Sequence, residues 1–199
     1  DVDGDGVSEL WLGAPGYRWG EIPNQYGFGR VMLIDGGAGL DPLADPWGQA
    51  ALVLEVGTDG GPVVAELGQQ LMCTDLDADG RDDLLAVAPL LPVSELANGG
   101  GGEGVGFCAV LPGDDVDLLG PPLTMDVRDV EHGIEATSSA PSGGLHRAAT
   151  VPDIDLDGRG ELALIDLQPQ PPLGTSAAVH VFLSNETPHP GRFDVGQAS

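Results

Sequence analysis

Short apolar runs, each bounded by glycine, proline or acidic residues, recur along this chain, and no stretch between them has helical periodicity. The clearest are Leu84-Leu85-Ala86-Val87-Ala88 and Phe107-Cys108-Ala109-Val110-Leu111. They are near-continuous rather than alternating, which predicts strands covered on both faces. The runs fall into a repeating order. A strand is expected at Leu67 to Thr74 and again at Leu145 to Pro152, each followed by an acidic loop. A second strand follows the loop, at Glu9 to Pro15, Asp83 to Pro89 and Glu161 to Leu167. A third is expected at Gly29 to Gly36, Gly106 to Gly113 and Ala177 to Ser184, and a weaker fourth at Ala51 to Val56, Leu123 to Arg128 and Arg192 to Val195. The first unit has no counterpart of the strand before its loop.

The acidic loops begin at residues 1, 75 and 153, a period too long for a solenoid coil but suited to a four-stranded unit with generous loops. Four-stranded sheets stacked face to face around an axis make a propeller. The expected fold is therefore all-β, with about three four-stranded antiparallel β-propeller blades, the first lacking its innermost strand. The expected blade boundaries are about 1–60, 61–138 and 139–199. Three blades cannot close a ring, so the segment is expected to belong to a larger propeller or assembly. The chain opens at the first acidic residue of a loop, which reads as a piece of something longer.

Composition sharpens this picture. The chain has 199 residues with 32 Gly and 17 Pro, one domain's worth of core written in short elements and many turns. Its net charge is −25, from 32 acidic and 7 basic residues. Nucleic acid and anionic membrane surfaces are excluded as partners, because phosphate binding needs clustered Lys and Arg. No segment is long and apolar enough to insert in a membrane.

The loops carry the chemistry. Asp1, Asp3, Asp5 and Glu9 recur in phase as Asp75, Asp77, Asp79 and Asp83, and as Asp153, Asp155, Asp157 and Glu161, with glycine at position six each time. Carboxylates at alternate positions converge on one point only around a cation. Position seven, Val7, Arg81 or Arg159, can add its backbone carbonyl. An all-oxygen cage of this kind suits a hard divalent cation with six to eight ligands, which means Ca2+, about three ions in all. An EF-hand is excluded: its loop needs a bidentate Glu at position twelve and flanking helices, whereas position twelve here is Leu12, Ala86 or Leu164 and each loop runs into a strand. Dockerin-type repeats fail for the same reason. The middle loop is flanked by complete strands and is expected to bind best, whereas Asp1 is terminal and can fray.

The order Leu67-Gly68, then Asp75-x-Asp77-x-Asp79-Gly80-x-x-Asp83-Leu84, then Ala88-Pro89 resembles the FG-GAP repeat of integrin α-subunit propellers. Asp1 to Pro15, ending Gly13-Ala14-Pro15, matches it best. Leu stands for Phe at 67 and 145, His146 stands where Gly is usual, and the third copy has Asp166-Leu167 in place of Ala-Pro. The resemblance implies a seven-bladed fold, extracellular calcium in the loop between the first and second strands, and protein ligands on the opposite face. It places the chain outside the cell or at its surface, in protein binding, adhesion or filament assembly, with flanking blades or other subunits, including further copies, as partners. The alternative is a non-catalytic accessory propeller of a larger secreted enzyme.

No enzymatic constellation is apparent. His132, His146, His180 and His189 share no spacing with one another or with Cys. Ser138, Ser139 and Ser142 lie outside any nucleophile-elbow pattern, and the Gly99 to Gly102 run lacks the Lys and helix of a phosphate loop. Cys73 and Cys108 are expected on the first and third strands of one sheet, too far apart to bridge, as two free buried thiols. The connection holding Tyr17, Arg18, Trp19, Tyr26 and Phe28 gathers residue types that dominate protein interfaces, and it is the candidate partner surface. The competing reading is that these rings pack on their own loop or on the neighbouring blade.

Overall fold

Among the described residues twelve strands form three sheets, and no α-helix occurs. The computed structural model describes residues 1–17, 28–37, 41, 44–56, 65–89, 106–116, 123–130, 132–136, 144–170, 174–182 and 192–194. Strands β1 (Leu10–Gly13), β2 (Arg30–Ile34) and β3 (Leu52–Glu55) form an antiparallel meander. Next come β4 (Gln70–Thr74), β5 (Asp83–Ala88) and β6 (Gly106–Leu111), again antiparallel and adjacent. The last sheet is β9 (Gly144–Val151), β10 (Glu161–Gln170) and β11 (Gly174–Phe182). The expected all-β class is thus observed, with the second to fourth strands expected in the first unit and the first three in each of the others, boundaries shifted by a few residues.

The outer strands differ from expectation. Leu123 to Arg128 was expected to close the middle unit, but β7 (Leu123–Asp126) pairs in parallel with β3, at the far edge of the first sheet. The middle sheet is closed instead by β8 (His132–Ala136), antiparallel to β6, a strand the pattern did not predict. Likewise β12 (Arg192–Asp194), expected as the fourth strand of the last unit, runs parallel to β8 on the middle sheet. The sheets therefore hold four, five and three strands, and two of the pairings are parallel. The physical reason is that a three- or four-residue run carries too little side-chain information to choose among free edges. Where the chain is led decides which edge it satisfies.

Two apolar layers hold the sheets together. Along β5 every residue is buried. Leu84, Ala86 and Ala88 join Val31, Leu33 and Leu54 of the first sheet in one cluster. Leu85 and Val87 join Leu145, Leu162 and Leu164 of the last sheet in another. A strand with an apolar layer on each side must read as a continuous apolar run, which accounts for the pattern. The sheets also meet through backbone: a Cβ at Gly106 would lie 2.5 Å from the carbonyl oxygen of Leu145 on β9, so only glycine permits the approach. The Gln70 side chain bonds both the N–H and the carbonyl of Ala148 across the same junction.

Cys73 and Cys108 lie on β4 and β6 and are free, as expected. Only Cys108 is buried, and burial pushes its thiol up to about 12. Cys73 is exposed, contrary to expectation. It sits at the loop end of β4, one residue before the strand's end at Thr74.

Phe107 is fully buried at the first junction, so Phe107→Ala is expected to cost about 3–5 kcal/mol in denaturant unfolding. Leu123→Ala, at a residue 50% exposed, should change stability by no more than about 0.5 kcal/mol.

Candidate metal centres

Each acidic loop folds by hydrogen-bonding its own backbone to its own carboxylates. The position-one carboxylate accepts from the position-six N–H: Gly6 to Asp1 at 3.0 Å, Gly80 to Asp75 at 3.0 Å and Gly158 to Asp153 at 2.8 Å. Position three accepts from the N–H of position five, at 3.0 Å in the first two loops and 3.2 Å in the third. Position five accepts from the N–H of Val7 (2.7 Å), Arg81 (2.7 Å) or Arg159 (2.9 Å). These short-range turns draw the odd-numbered side chains to one side of the loop.

The bend requires left-handed backbone at two places. Position six supplies it with glycine: φ is 86° at Gly6, 89° at Gly80 and 95° at Gly158. Position four supplies it too, with φ of 77° at Gly4, 62° at Ala78 and 66° at Leu156. Sequence reasoning missed position four, and Gly4 was its only signal. Ala78 and Leu156 adopt this conformation at a cost on the order of 1 kcal/mol each. Leu156 is 86% exposed, so packing does not offset that cost.

Position nine is different in kind. Its carboxylate is buried at the start of the following strand: Glu161 is 0% and Asp83 1% exposed, and the Glu9 side chain 2%. One oxygen of each accepts from the position-two N–H: Val2 at 2.7 Å, Leu76 at 2.7 Å and Ile154 at 2.9 Å. The second oxygen separates the loops. In Asp83 it accepts from Gly113 N–H at 2.9 Å. In Glu9 and Glu161 it is buried with no hydrogen-bond partner, as is Oδ1 of Asp1.

Asp1, Asp3, Asp5 and Glu9 bring one carboxylate oxygen each within 4.8 Å of one another, and so do Asp153, Asp155, Asp157 and Glu161. In the middle loop the group is Asp75, Asp77 and Asp79. Asp83, one methylene shorter and with both oxygens bonded to backbone, stands apart from it. Buried oxygens are normally satisfied, and an orphaned one beside three converging carboxylates fits a missing cation. The donor set is oxygen alone, the chemistry of a hard divalent ion. The acidic residues named from the sequence could hold a metal ion, with Asp83 the exception in placement.

The loops are also joined to each other. The position-eight N–H of the middle loop, Asp82, donates to the carbonyl of Asp1 at 3.1 Å. Gly160, position eight of the last loop, donates to the carbonyl of Asp75 at 3.4 Å. Arg81 crosses the first loop, its Nε 3.5 Å from where a Cβ on Gly4 would stand. The three candidate centres therefore form a hydrogen-bonded row.

The aromatic surface expected to bind partners resolves partly into packing. Phe28 is 2% exposed and belongs to the core at the first junction. Tyr17 lies against Trp47, centroids 5.3 Å apart, and the Arg30 guanidinium sits 3.8 Å from the Tyr17 ring and 4.9 Å from the Trp47 ring. Arg30 is ion-paired with Glu55. Arg18, Trp19 and Tyr26 lie outside the described residues, as does the Gly99 to Gly102 run.

Burial pushes the Asp83 carboxyl up to about 6, the Leu76 and Gly113 N–H groups oppose the rise, and repulsion from Asp77 and Asp79 adds to it. A carboxyl raised on folding binds its proton more tightly in the folded state. In metal-free buffer this group should therefore stabilise the fold increasingly as pH falls from about 6 toward its ordinary value of 3.8. Thermal melts in chelator across that range test this, and a flat or falling profile would show that Asp83 ionises like an exposed acid. Comparison with known proteins finds no matching family model and no matching curated protein, so the functional reading rests on the loops themselves.

Proposed function

We propose that this chain is a calcium-stabilised segment of an FG-GAP-type β-propeller, its three sheets acting as blades, that serves protein binding, adhesion or filament assembly outside the cytoplasm. The supporting observation is the recurrence of one oxygen cage, with buried orphaned carboxylate oxygens in the first and last copies. Side chains at positions one, three, five and nine would hold Ca2+ in the first and last loops, and those at one, three and five in the middle loop, with the carbonyls of Val7, Arg81 and Arg159 adding to the shell. Calcium would supply charge neutralisation, and the loops would supply shape. Loops of this design serve best where free calcium is plentiful, which favours the cell exterior. The net charge of −25 accords with a protein ligand or a neighbouring blade rather than a polyanion.

The middle cage is a carboxylate short, so the first and last sites should bind more tightly than the middle one, the reverse of the order expected from chain position. Asp83→Glu should strengthen the middle site by restoring the longer side chain.

Calcium binding only to the folded state stabilises it by mass action, by about 2.7 kcal/mol per site at one hundred times the dissociation constant. Calorimetric melts at neutral pH should therefore shift downward when chelator replaces calcium. Glu161→Gln should remove most of the last site's share, and the calcium-dependent increment should fade as acid protonates the ligands. An unchanged melting temperature in chelator would exclude structural calcium.

A further inference from the structure

Arg81 belongs to the middle loop, but its side chain reaches the first. Its backbone stays with its own loop, the N–H donating to the Asp79 carboxylate at 2.7 Å. Its side chain leaves that loop: Nε and Cγ lie 3.5 and 3.8 Å from where a Cβ on Gly4 would stand, between Asp3 and Asp5 in the chain. Two contacts fix this course. Asp82 N–H bonds the Asp1 carbonyl at 3.1 Å, which holds the middle loop against the first. Gly113 closes the other side, since a Cβ there would lie 2.9 Å from Arg81 Cβ and 3.0 Å from the Val2 carbonyl oxygen. Position four is glycine in the first loop, whereas Ala78 and Leu156 stand there in the others. The arginine stem therefore meets backbone rather than a side chain.

The first loop is where positive charge is wanted. Asp1, Asp3, Asp5 and Glu9 converge there, and Oδ1 of Asp1 and Oε1 of Glu9 are buried with no hydrogen-bond partner. The protein has 7 basic residues against 32 acidic ones, so a guanidinium brought to this cage is one of few counter-charges it owns. Arginine keeps its charge at every working pH, and its stem lets the head group swing out to water.

We infer that Arg81 is a tethered counter-cation of the first loop: it steadies the metal-free loop and lowers that loop's affinity for a divalent ion. This rests on the reading of the loops as calcium sites. Without metal, the guanidinium offsets part of the repulsion among four gathered carboxylates. A dication entering the cage meets the same positive charge, at twice the Coulomb energy per unit of its own charge. One residue thereby serves two loops, and the middle loop sets how tightly the first holds its ion.

Terbium, a luminescent stand-in for calcium, reads the first loop. Trp11 stands two residues beyond Glu9, roughly 7 Å along the strand, and no tryptophan follows Trp47 in the chain. Emission sensitised by tryptophan is titrated in wild type, Arg81→Gln, Arg81→Lys and Arg147→Gln, with Asp5→Asn combined with Glu9→Gln as the background. Arg81→Gln should bind about fivefold more tightly at low salt, a gain that fades as added salt screens the charge. Arg81→Lys keeps the charge and should stay near wild type. Arg147→Gln removes the same charge from an exposed position on β9 and should leave the first loop unchanged. The Asp1 amino group, 2.8 Å from Asp82, is common to every protein compared. Thermal melts separate counter-charge from packing. Arg81→Gln should lower the melting temperature by about 1–2 °C in chelator and not in saturating calcium, whereas lost packing would lower both. Unchanged affinity in Arg81→Gln, an equal gain in Arg147→Gln, or a melting loss that persists in calcium would overturn the inference while the calcium reading stands. If wild type binds neither terbium nor calcium, the calcium reading has failed and takes this inference with it.

Discussion

The buried carboxylate at position nine is the constraint on which the loops, the strands and the junctions all depend. It stands at the first residues of a strand, is shut away from water, and holds the N–H of position two. At the two junctions the position-two side chain, Val2 or Leu76, is part of the apolar core. One acid therefore ties loop, strand and core together, at the cost of a desolvated negative charge. Asp83 meets that cost with two backbone donors and an upward shift toward protonation. Glu9 and Glu161 leave an oxygen without a donor, and a cation in the loop is what would complete them.

The sheets depend on a second economy, in which β5 serves two cores at once. Its alternate residues face opposite neighbours, so the middle sheet is stable only with a sheet on either side. The parallel additions of β7 and β12 follow the same logic. Each leaves its own unit after the third strand and covers the outer edge of the sheet before it. The sheets are thereby laced together by backbone as well as by side chains, and an edge that would invite foreign strands is closed.

The loops form a third layer of connection. Adjacent loops share a backbone bond from the position-eight N–H to the carbonyl of the position-one aspartate. A cation that fixed one loop would also fix the donor or acceptor seen by the next. Left-handed Ala78 and Leu156 are strained conformations held by these turns rather than by packing, so the cage is a property of the loop as a unit.

By itself the sequence determined the all-β class, the loops between strands and the acidic residues that converge, because each depends on short-range pattern: alternation or continuity of apolar residues, and Asx-type turns at fixed spacing. The run from Leu84 to Ala88 could only be a strand covered on both faces, and so it is. What the tertiary structure decided was everything that depends on a distant edge or a distant donor. Leu123 to Asp126 and Arg192 to Asp194 look alike in any sheet, and only the position of the free edges sent them to the preceding one. His132 to Ala136 became a strand because β6 had an edge to fill. Cys73 is exposed and Phe28 buried for reasons of neighbourhood that no local pattern carries. Asp83 shares its spacing with Glu9 and Glu161, yet it stands apart from its cage. One missing methylene and the N–H of Gly113, thirty residues away, give its oxygens another use.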